Sequence, residues 1–120
     1  MALAFMFEKL DVYQKSIDLA ERILVATSEF PRGFYFLSDQ LNRACVSIAT
    51  NLAEGNGRFT KADRKNFFTI ARGSAQECVP LIELARRRNL VPDGASETLT
   101  RDITENCRTL KFTNYGFEEI

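Results

Sequence analysis

The spacing of apolar residues constrains the fold of this chain most strongly. Apolar residues recur every three or four positions along most of its 120 residues, and no stretch alternates convincingly between apolar and polar residues. A period near 3.6 is typical of an amphipathic α-helix, whereas a half-buried strand needs a period of two. Glycine and proline fall between the periodic windows, with the exception of Pro80. The sequence therefore predicts an all-α protein with four helices.

The four helices are expected at residues of about 8–29, 34–55, 61–88 and 95–110, with a loose tail at 111–120. A chain of this length is expected to form one domain, residues 1–120, with one modest core. Pro80 should kink the third helix without breaking it, because the apolar spacing continues beyond it.

Local signals predict the buried face of the first helix, the end of the second helix and the start of the third. The inner face of the first helix is expected to carry Leu10, Tyr13, Ile17, Ala20, Leu24 and Thr27, with Ile23 beside them. Gly55 suits the left-handed position that ends a helix, since it has no Cβ to clash. Thr60 and Asp63 resemble an N-capping box at the start of the third helix.

A line of polar residues borders the apolar stripe of the second helix. At about 100° per residue, the line lies within about 40° of Ser47, whereas the stripe is centred about 100° away. On the third helix, Ser74 lies within the apolar face and Glu77 lies on its flank. We call these residues the polar seam, and its members are Gln40, Arg43, Ser47, Asn51, Glu54, Ser74 and Glu77.

The polar seam is interpreted as structural, because a charge at the edge of a core is costly unless it is paired. Glu77 is expected to pair with Arg43 or with an arginine of a neighbouring subunit. The side chains of Asn51 and Ser74 are expected to form a hydrogen bond with one another, directly or through a water molecule. An acid-base pair of Glu54 and Glu77 is the less favoured alternative.

The second helix carries unusually few charges for a helix with one face in water. Between residues 34 and 54 the charged residues are Asp39, Arg43 and Glu54, and the side away from the core carries small or uncharged residues. A helix covered on more than one side would explain this composition. We therefore expect a homo-oligomer in which this helix or its neighbour lies at a subunit contact.

The third helix is the basic part of a chain whose formal net charge is zero. Residues 61–88 contain seven basic and three acidic residues, whereas residues 89–120 carry a net charge of −3. Such a face can bind phosphates, although a solvated helix face with a cationic cluster at its C-terminal end, balanced by the acidic fourth helix, is the favoured explanation. The candidate nucleic-acid-binding residues, which we call the α3 cations, are Lys61, Arg64, Lys65, Arg72, Arg86, Arg87 and Arg88.

The residue types needed for catalysis or metal binding are scarce in this chain. It contains no histidine, and Cys45, Cys78 and Cys107 are widely spaced without a CxxC pair. Three reduced, buried thiols suit a cytoplasmic protein. The sequence shows no nucleophile motif, signal peptide or membrane span. We expect a non-enzyme without cofactor, metal or membrane contact.

Two further features have alternative interpretations. Gly55-Asn56-Gly57 could cradle a phosphate, but it lacks the strand and the lysine of a P-loop, so a turn between antiparallel helices is favoured. Aromatic residues near the chain ends and the first connection could dock a protein partner or close the ends of the bundle, and closure is favoured. These aromatic residues are Phe5, Phe7, Phe34, Tyr35, Phe36, Phe112, Tyr115 and Phe117.

Three stretches together resemble a known bacterial family. They are FEKLDVYQKSIDL, FPRGFYFLSDQLNRACVSIATNLAEGNGR and FFTIARGSAQE, and they lie within residues 5–90. The family, encoded within intervening sequences of 23S rRNA genes, carries an LxxQxxRAxxSIxxNIAEG helix and an ARGSxxE helix. The matching residues here are Leu37, Gln40, Arg43, Ala44, Ser47, Ile48, Asn51, Ala53, Glu54, Gly55, Ala71, Arg72, Gly73, Ser74 and Glu77. Departures are Leu52 in place of isoleucine, Pro80, and an ending unlike the family's leucine-rich fourth helix.

The resemblance implies an up-down-up-down bundle that assembles into a homopentameric ring. The family is also similar to accessory proteins of diversity-generating retroelements, which bind nucleic acid and a reverse transcriptase. The expected function is therefore a homo-oligomeric, non-enzymatic accessory protein associated with RNA or DNA, with a reverse transcriptase or a ribosomal component as a further partner. The alternative is a protein-protein scaffold or adaptor without nucleic-acid contact.

Overall fold

Four helices account for nearly all of the structure. The computed structural model describes residues 10–114, with side chains through residue 110. The helices are α1 (Asp11–Ser28), α2 (Tyr35–Asn56), α3 (Lys61–Arg87) and α4 (Asp93–Asn114), and a 3-10 turn at Arg32–Phe34 precedes α2. No strand forms in this range. None of the helices described combines the length and apolar character that crossing a membrane requires.

The predicted helices are confirmed within a few residues, and α3 runs through Pro80 without a break. The expected loose tail is wrong for residues 111–114, because α4 continues to Asn114. No glycine or proline lies between Ala95 and Asn114, and Leu110 is fully buried, so packing extends the helix beyond the predicted end. Residues 8–9 of the predicted first helix and 115–120 of the tail lie outside the described residues.

The helices pack as an antiparallel four-helix bundle. The α2–α3 contact is the most extensive, followed by α3–α4, α1–α2 and the smaller α1–α4 contact, whereas the diagonal helices do not meet. This ring of neighbours is the one expected when short connections join consecutive helices. The largest fully buried apolar side chains at the centre are Leu19, Ile23, Leu41, Ile48, Leu52, Ile82, Ile103 and Leu110.

The inner face of α1 is rotated from the predicted one. Ile17 and Leu24, which were expected in the core, are partly exposed, whereas Val12, Ser16 and Leu19 are buried. Ser16 can face the core because its hydroxyl donates a hydrogen bond to the carbonyl of Tyr13 at 2.7 Å. α1 has two adjacent apolar rows, so that its periodicity alone did not show which row is buried.

Gly55 has a different role from the predicted one. It is buried within α2, which ends at Asn56 with Gly57 as its C-cap, and it does not adopt the left-handed conformation. A Cβ at this position would lie 2.8 Å from Cβ of Phe67 and 3.0 Å from the ring of Phe68. Gly55 is therefore needed for the close approach of α2 and α3, not for a turn.

The ends of α3 are set by two capping motifs. The hydroxyl of Thr60 accepts a hydrogen bond from the backbone N–H of Asp63 at 3.1 Å, which confirms Thr60 as the predicted N-cap. At the other end, Asn89 adopts a left-handed backbone with φ of 62°. The N–H groups of Asn89 and Leu90 donate to the carbonyls of Arg86 and Ala85, which is a Schellman motif.

The substitution Gly55→Ala tests the close contact between α2 and α3. The added methyl group would overlap Cβ of Phe67, which is too close to the backbone to swing away. Overpacking of this kind typically costs about 1–3 kcal/mol, more than the roughly 0.5–1 kcal/mol that alanine gains over glycine within a helix. We expect a lower melting temperature and a lower free energy of unfolding in urea.

Gly73→Ala is the matched control, because Gly73 also lies within a helix. Among the described residues, no side chain or neighbouring helix lies within 4 Å of the position that a Cβ at Gly73 would take. This variant should be more stable than the parent by about 0.5–1 kcal/mol. Equal stability changes in the two variants would show that α2 and α3 do not need Gly55 to approach.

Candidate nucleic-acid interface and polar seam

Three members of the polar seam form a hydrogen-bonded cluster between α2 and α3. The hydroxyl of Ser74 donates to Oγ of Ser47 at 2.8 Å, and Nδ2 of Asn51 donates to the same oxygen at 2.9 Å. Nδ2 of Asn51 also donates to the Ser47 carbonyl at 2.8 Å. All three side chains are half-buried. Ser47 thus joins Asn51 to Ser74, where a direct contact or a bridging water was expected.

The other four members, Gln40, Arg43, Glu54 and Glu77, are exposed. The predicted pair between Arg43 and Glu77 is wrong. Nε of Arg43 lies 3.1 Å from a carboxylate oxygen of Asp39, one helical turn earlier, and the Arg43 side chain is 80% exposed. Because Arg43 points into water, it does not reach α3. Only the centre of the predicted polar line, around Ser47, faces the neighbouring helix.

Glu54 takes part in a different arrangement at the end of α2. One of its carboxylate oxygens accepts a hydrogen bond from Nη2 of Arg58 at 2.9 Å. The guanidinium of Arg58 also lies over the Phe67 ring, 4.5 Å from its centroid. Arg58 therefore closes the α2–α3 connection and is not available as a free cation.

The α3 cations divide into three groups with different surroundings. At the end of α3, Glu83 accepts hydrogen bonds from Arg86 at 2.8 and 2.9 Å and from Arg87 at 2.9 Å. These guanidinium groups lower the pKa of the Glu83 carboxyl to about 2. The contribution of these pairs to the free energy of unfolding is therefore full above the ordinary glutamate pKa of 4.5 and is lost progressively as the pH falls from there to about 2.

Two further α3 cations, Arg72 and Arg88, differ in their exposure. The guanidinium of Arg88 lies 5.6 Å from the centroid of the Phe34 ring. Arg72 is half-buried, and its carbonyl lies 3.9 Å from the thiol of Cys107. Nε of Arg72 is buried without a hydrogen-bond partner among the described residues. Arg72 is therefore less accessible than the sequence suggested, whereas Arg88 remains exposed over the Phe34 ring.

The remaining three cations, Lys61, Arg64 and Lys65, are exposed in the first two turns of α3. No residue in the described range forms an ion pair with any of them. We call these three residues the free cations. The structure therefore reduces the predicted basic face of seven residues to a small group next to the α2–α3 connection.

Sequence reasoning missed the residue that precedes this group. The side chain of Phe59 is fully exposed, at 103% of its reference value, and it lies two residues before Lys61. The signal was present in the sequence as an aromatic residue in a short connection between a glycine turn and a basic helix. A single aromatic residue in a short connection has no periodic pattern, so the sequence alone does not show whether its ring is buried.

The thiols do not resemble catalytic nucleophiles. Burial raises the pKa of Cys45 to about 11 and that of Cys78 to about 12, and it also raises the pKa of Cys107. All three are free cysteines. Protonated, buried thiols are inert at neutral pH. Among residues 10–114, no cluster of three histidine, cysteine or acidic residues could hold a metal ion.

Comparison with known proteins places this geometry in context. The family model described as 23S rRNA-intervening sequence protein matches residues 8–112. A crystal structure of a protein of unknown function, from the S23 ribosomal protein family of Bacteroides thetaiotaomicron, superposes with a TM-score of 0.81. The two chains share 27% sequence identity over 86% of this chain and 97% of that chain. No curated protein matches.

The substitution Ser47→Ala tests the three-residue cluster. It removes the oxygen that accepts from both Asn51 and Ser74. Because the cluster is half-buried and Asn51 keeps its bond to the backbone, we expect a loss of about 1 kcal/mol in the free energy of unfolding. Urea denaturation measures this loss.

The control is Thr50→Ala, which removes an exposed hydroxyl that bonds only to carbonyls of α2. Surface changes of this kind usually remain within about 0.5 kcal/mol. An equal response of the two variants would contradict a stabilising role of the cluster between α2 and α3.

Proposed function

This chain belongs to the 23S rRNA-intervening sequence protein family, and from this membership and its surface we propose that it is a non-enzymatic, self-assembling accessory protein that associates with nucleic acid in the cytoplasm. The observation that carries the proposal is the group of free cations, Lys61, Arg64 and Lys65, for which the described structure provides no acidic partner.

The position of the free cations supports a functional role. Cations near a helix N-terminus oppose the helix dipole and typically cost a few tenths of a kcal/mol, whereas acidic residues are favoured there. The first turn of α3 contains one acidic residue, Asp63, beside two of the cations. A bound phosphate would neutralise the cations and interact favourably with the same helix end.

The charge balance of the chain limits the strength of this association. The formal net charge is zero, so long-range attraction to nucleic acid is weak. Binding would depend on a few local phosphate contacts in each copy and would be sensitive to salt. Linking several copies in one assembly would raise the affinity without new contacts.

The surface of α1 and α2 supports self-assembly. Ile17, Leu24 and Val25 of α1 and Val46 of α2 are all more than 40% exposed, and the groove between them is also lined by Ala20 and Ala49. We call this surface the α1–α2 face. A contiguous apolar face on a small protein marks an interaction site. We propose that a second copy covers it. This agrees with the homo-oligomer expected from the weakly charged second helix. The family resemblance implies that the oligomer is a pentamer.

The state of the thiols supports the non-enzymatic part of the proposal, because burial keeps Cys45 and Cys78 protonated at neutral pH. Three free cysteines also suit the reducing cytoplasm.

A second candidate is a protein scaffold or adaptor that does not contact nucleic acid. Tyr35 and Phe36 favour it, since their side chains are 71% and 67% exposed instead of closing the end of the bundle. Phe34, by contrast, is half-buried beneath Arg88. Of the other aromatic residues considered, Phe5, Phe7, Tyr115 and Phe117 lie outside the described residues. A pull-down that recovers a reverse transcriptase or a ribosomal component after nuclease treatment, with a parent that binds no nucleic acid, would favour this candidate.

Removal of the free cations tests nucleic-acid binding. We expect the triple variant Lys61→Gln, Arg64→Gln, Lys65→Gln to bind RNA or DNA roughly tenfold or more weakly at about 50 mM salt, because three phosphate contacts are lost. The slope of log affinity against log salt should fall by about 2, as measured in gel shifts over a salt series.

The control for charge is the triple variant Lys15→Gln, Arg101→Gln, Arg108→Gln, which removes three exposed cations that lie beside carboxylates on α1 and α4. It should bind like the parent. If the parent itself does not bind nucleic acid at micromolar protein and about 50 mM salt, the nucleic-acid part of the proposal is wrong.

Acidic substitutions test self-assembly. The double variant Val25→Glu, Val46→Glu places one carboxylate on each helix of the α1–α2 face. Burying these charges in a contact would weaken it roughly tenfold or more, so we expect the mass in light scattering to shift towards that of the monomer.

Ile70→Glu, Leu84→Glu is the matched double variant, because both residues are similarly exposed apolar residues of α3. It should keep the mass of the parent. A parent that is monomeric at micromolar concentration, or an assembly lost only in the α3 variant, would contradict the proposed role of the α1–α2 face.

A further inference from the structure

The side chain of Phe59 has no packing role in the chain that carries it. It is fully exposed, whereas Phe68, nine residues later, is buried in the core. A single exposed apolar residue is common, but an aromatic side chain with its whole ring in water is unusual. Its position between two basic residues of the chain, Arg58 and Lys61, distinguishes it from the other exposed apolar residues.

The local structure holds Phe59 away from the bundle. Gly57 caps the end of α2 and Thr60 caps the start of α3, so only a few residues connect two closely packed helices. Arg58 turns back onto the Phe67 ring and pairs with Glu54. The space over Phe67 is therefore filled by Arg58, and Phe59 projects from the end of the bundle.

The free cations follow Phe59 directly along the chain. Lys61 is two residues away, and Arg64 and Lys65 lie one turn further along α3. The stretch from residue 58 to residue 65 contains four basic residues and one acidic residue. An exposed aromatic ring next to cations without acidic partners is the combination that binds unpaired nucleotides, since the ring stacks on a base while the cations contact phosphates.

We propose that Phe59 stacks on an unpaired base of a single-stranded nucleic acid whose backbone is held by Lys61, Arg64 and Lys65. This inference rests on the proposed nucleic-acid association and specifies the form of nucleic acid bound. Bases within a duplex are already stacked on their neighbours, so a ring at the end of a short connection can stack only on a base that is free.

Charge favours this occupant over a second copy of the chain. A two-fold contact between copies centred on Phe59 would bring two sets of free cations together, and like charges across an interface are unfavourable. A phosphate backbone neutralises the same cations. The α1–α2 face, which carries the exposed apolar side chains of two helices, is the better candidate for contact between copies.

The first test measures the affinity of the full chain for a fluorescein-labelled single-stranded oligouridine of about 12 nucleotides, by fluorescence anisotropy over a salt series. Phe59→Ala should weaken binding roughly tenfold with an unchanged salt slope, because it removes a stacking contact and no phosphate contact. Phe59→Leu should be weakened similarly, since leucine is apolar but has no aromatic face. Phe59→Tyr should bind like the parent.

The second test measures tryptophan fluorescence. The chain contains no tryptophan, so that a single introduced tryptophan gives the whole signal. The Phe59→Trp variant should bind the oligouridine, and the stacked base should quench the fluorescence of its single tryptophan. Tyr35→Trp is the matched control, because Tyr35 is also exposed but begins α2, whereas Phe59 follows the end of that helix. Its fluorescence should not change, and an RNA duplex of the same length should quench neither variant.

Two results would overturn the inference while leaving the proposed function intact. One is a parent that binds the strand while Phe59→Ala binds it equally well. The other is a Phe59→Ala variant with a smaller mass in light scattering, which would make Phe59 a contact between copies. A parent that binds no nucleic acid at low salt overturns the proposed function, and the inference fails with it.

Discussion

The close contact of α2 with α3 at Gly55 is the constraint on which the rest of the structure depends. A glycine at this position lets the two backbones approach until Phe67 and Phe68 lie within van der Waals reach of it. At this distance, Oγ of Ser74 can donate to Oγ of Ser47 two turns away along α2. The two helices then form the most extensive contact in the bundle, and the polar cluster sets their register where an apolar contact could slide.

The same contact determines which charges are available at the surface. A short connection between closely packed helices leaves room for one side chain over Phe67, and Arg58 takes it. The other cations of α3 have different surroundings at the two ends of the helix. Glu83 and the favourable end of the helix dipole stabilise Arg86 and Arg87, whereas the free cations oppose the dipole. A local arrangement that lowers stability without a structural reason is typical of a functional surface.

Periodicity predicted the existence and order of the helices because each has a strong apolar face, but it could not predict contacts that depend on neighbouring helices. Ile17 and Leu24 follow the helical period as well as Leu19 and Ile23 do, and only packing against α2 and α4 separates the two rows. Gly55 was interpreted from its local preference, yet its role comes from Phe67 on another helix. The N-cap Thr60, whose hydrogen-bond partner Asp63 is only three residues away, was predicted correctly.

The two proposed surfaces lie on different helices, and this separation has a physical consequence. The α1–α2 face is apolar and the free cations lie on α3, so self-association would not bury the cations. Each copy of this neutral chain offers only a few phosphate contacts, which bind weakly at physiological salt. Copies joined through the α1–α2 face would present the same contacts repeatedly to one strand, and the second contact would form at a high effective concentration. Assembly would then be the condition for useful affinity, because the charge of a single copy is too small to provide it.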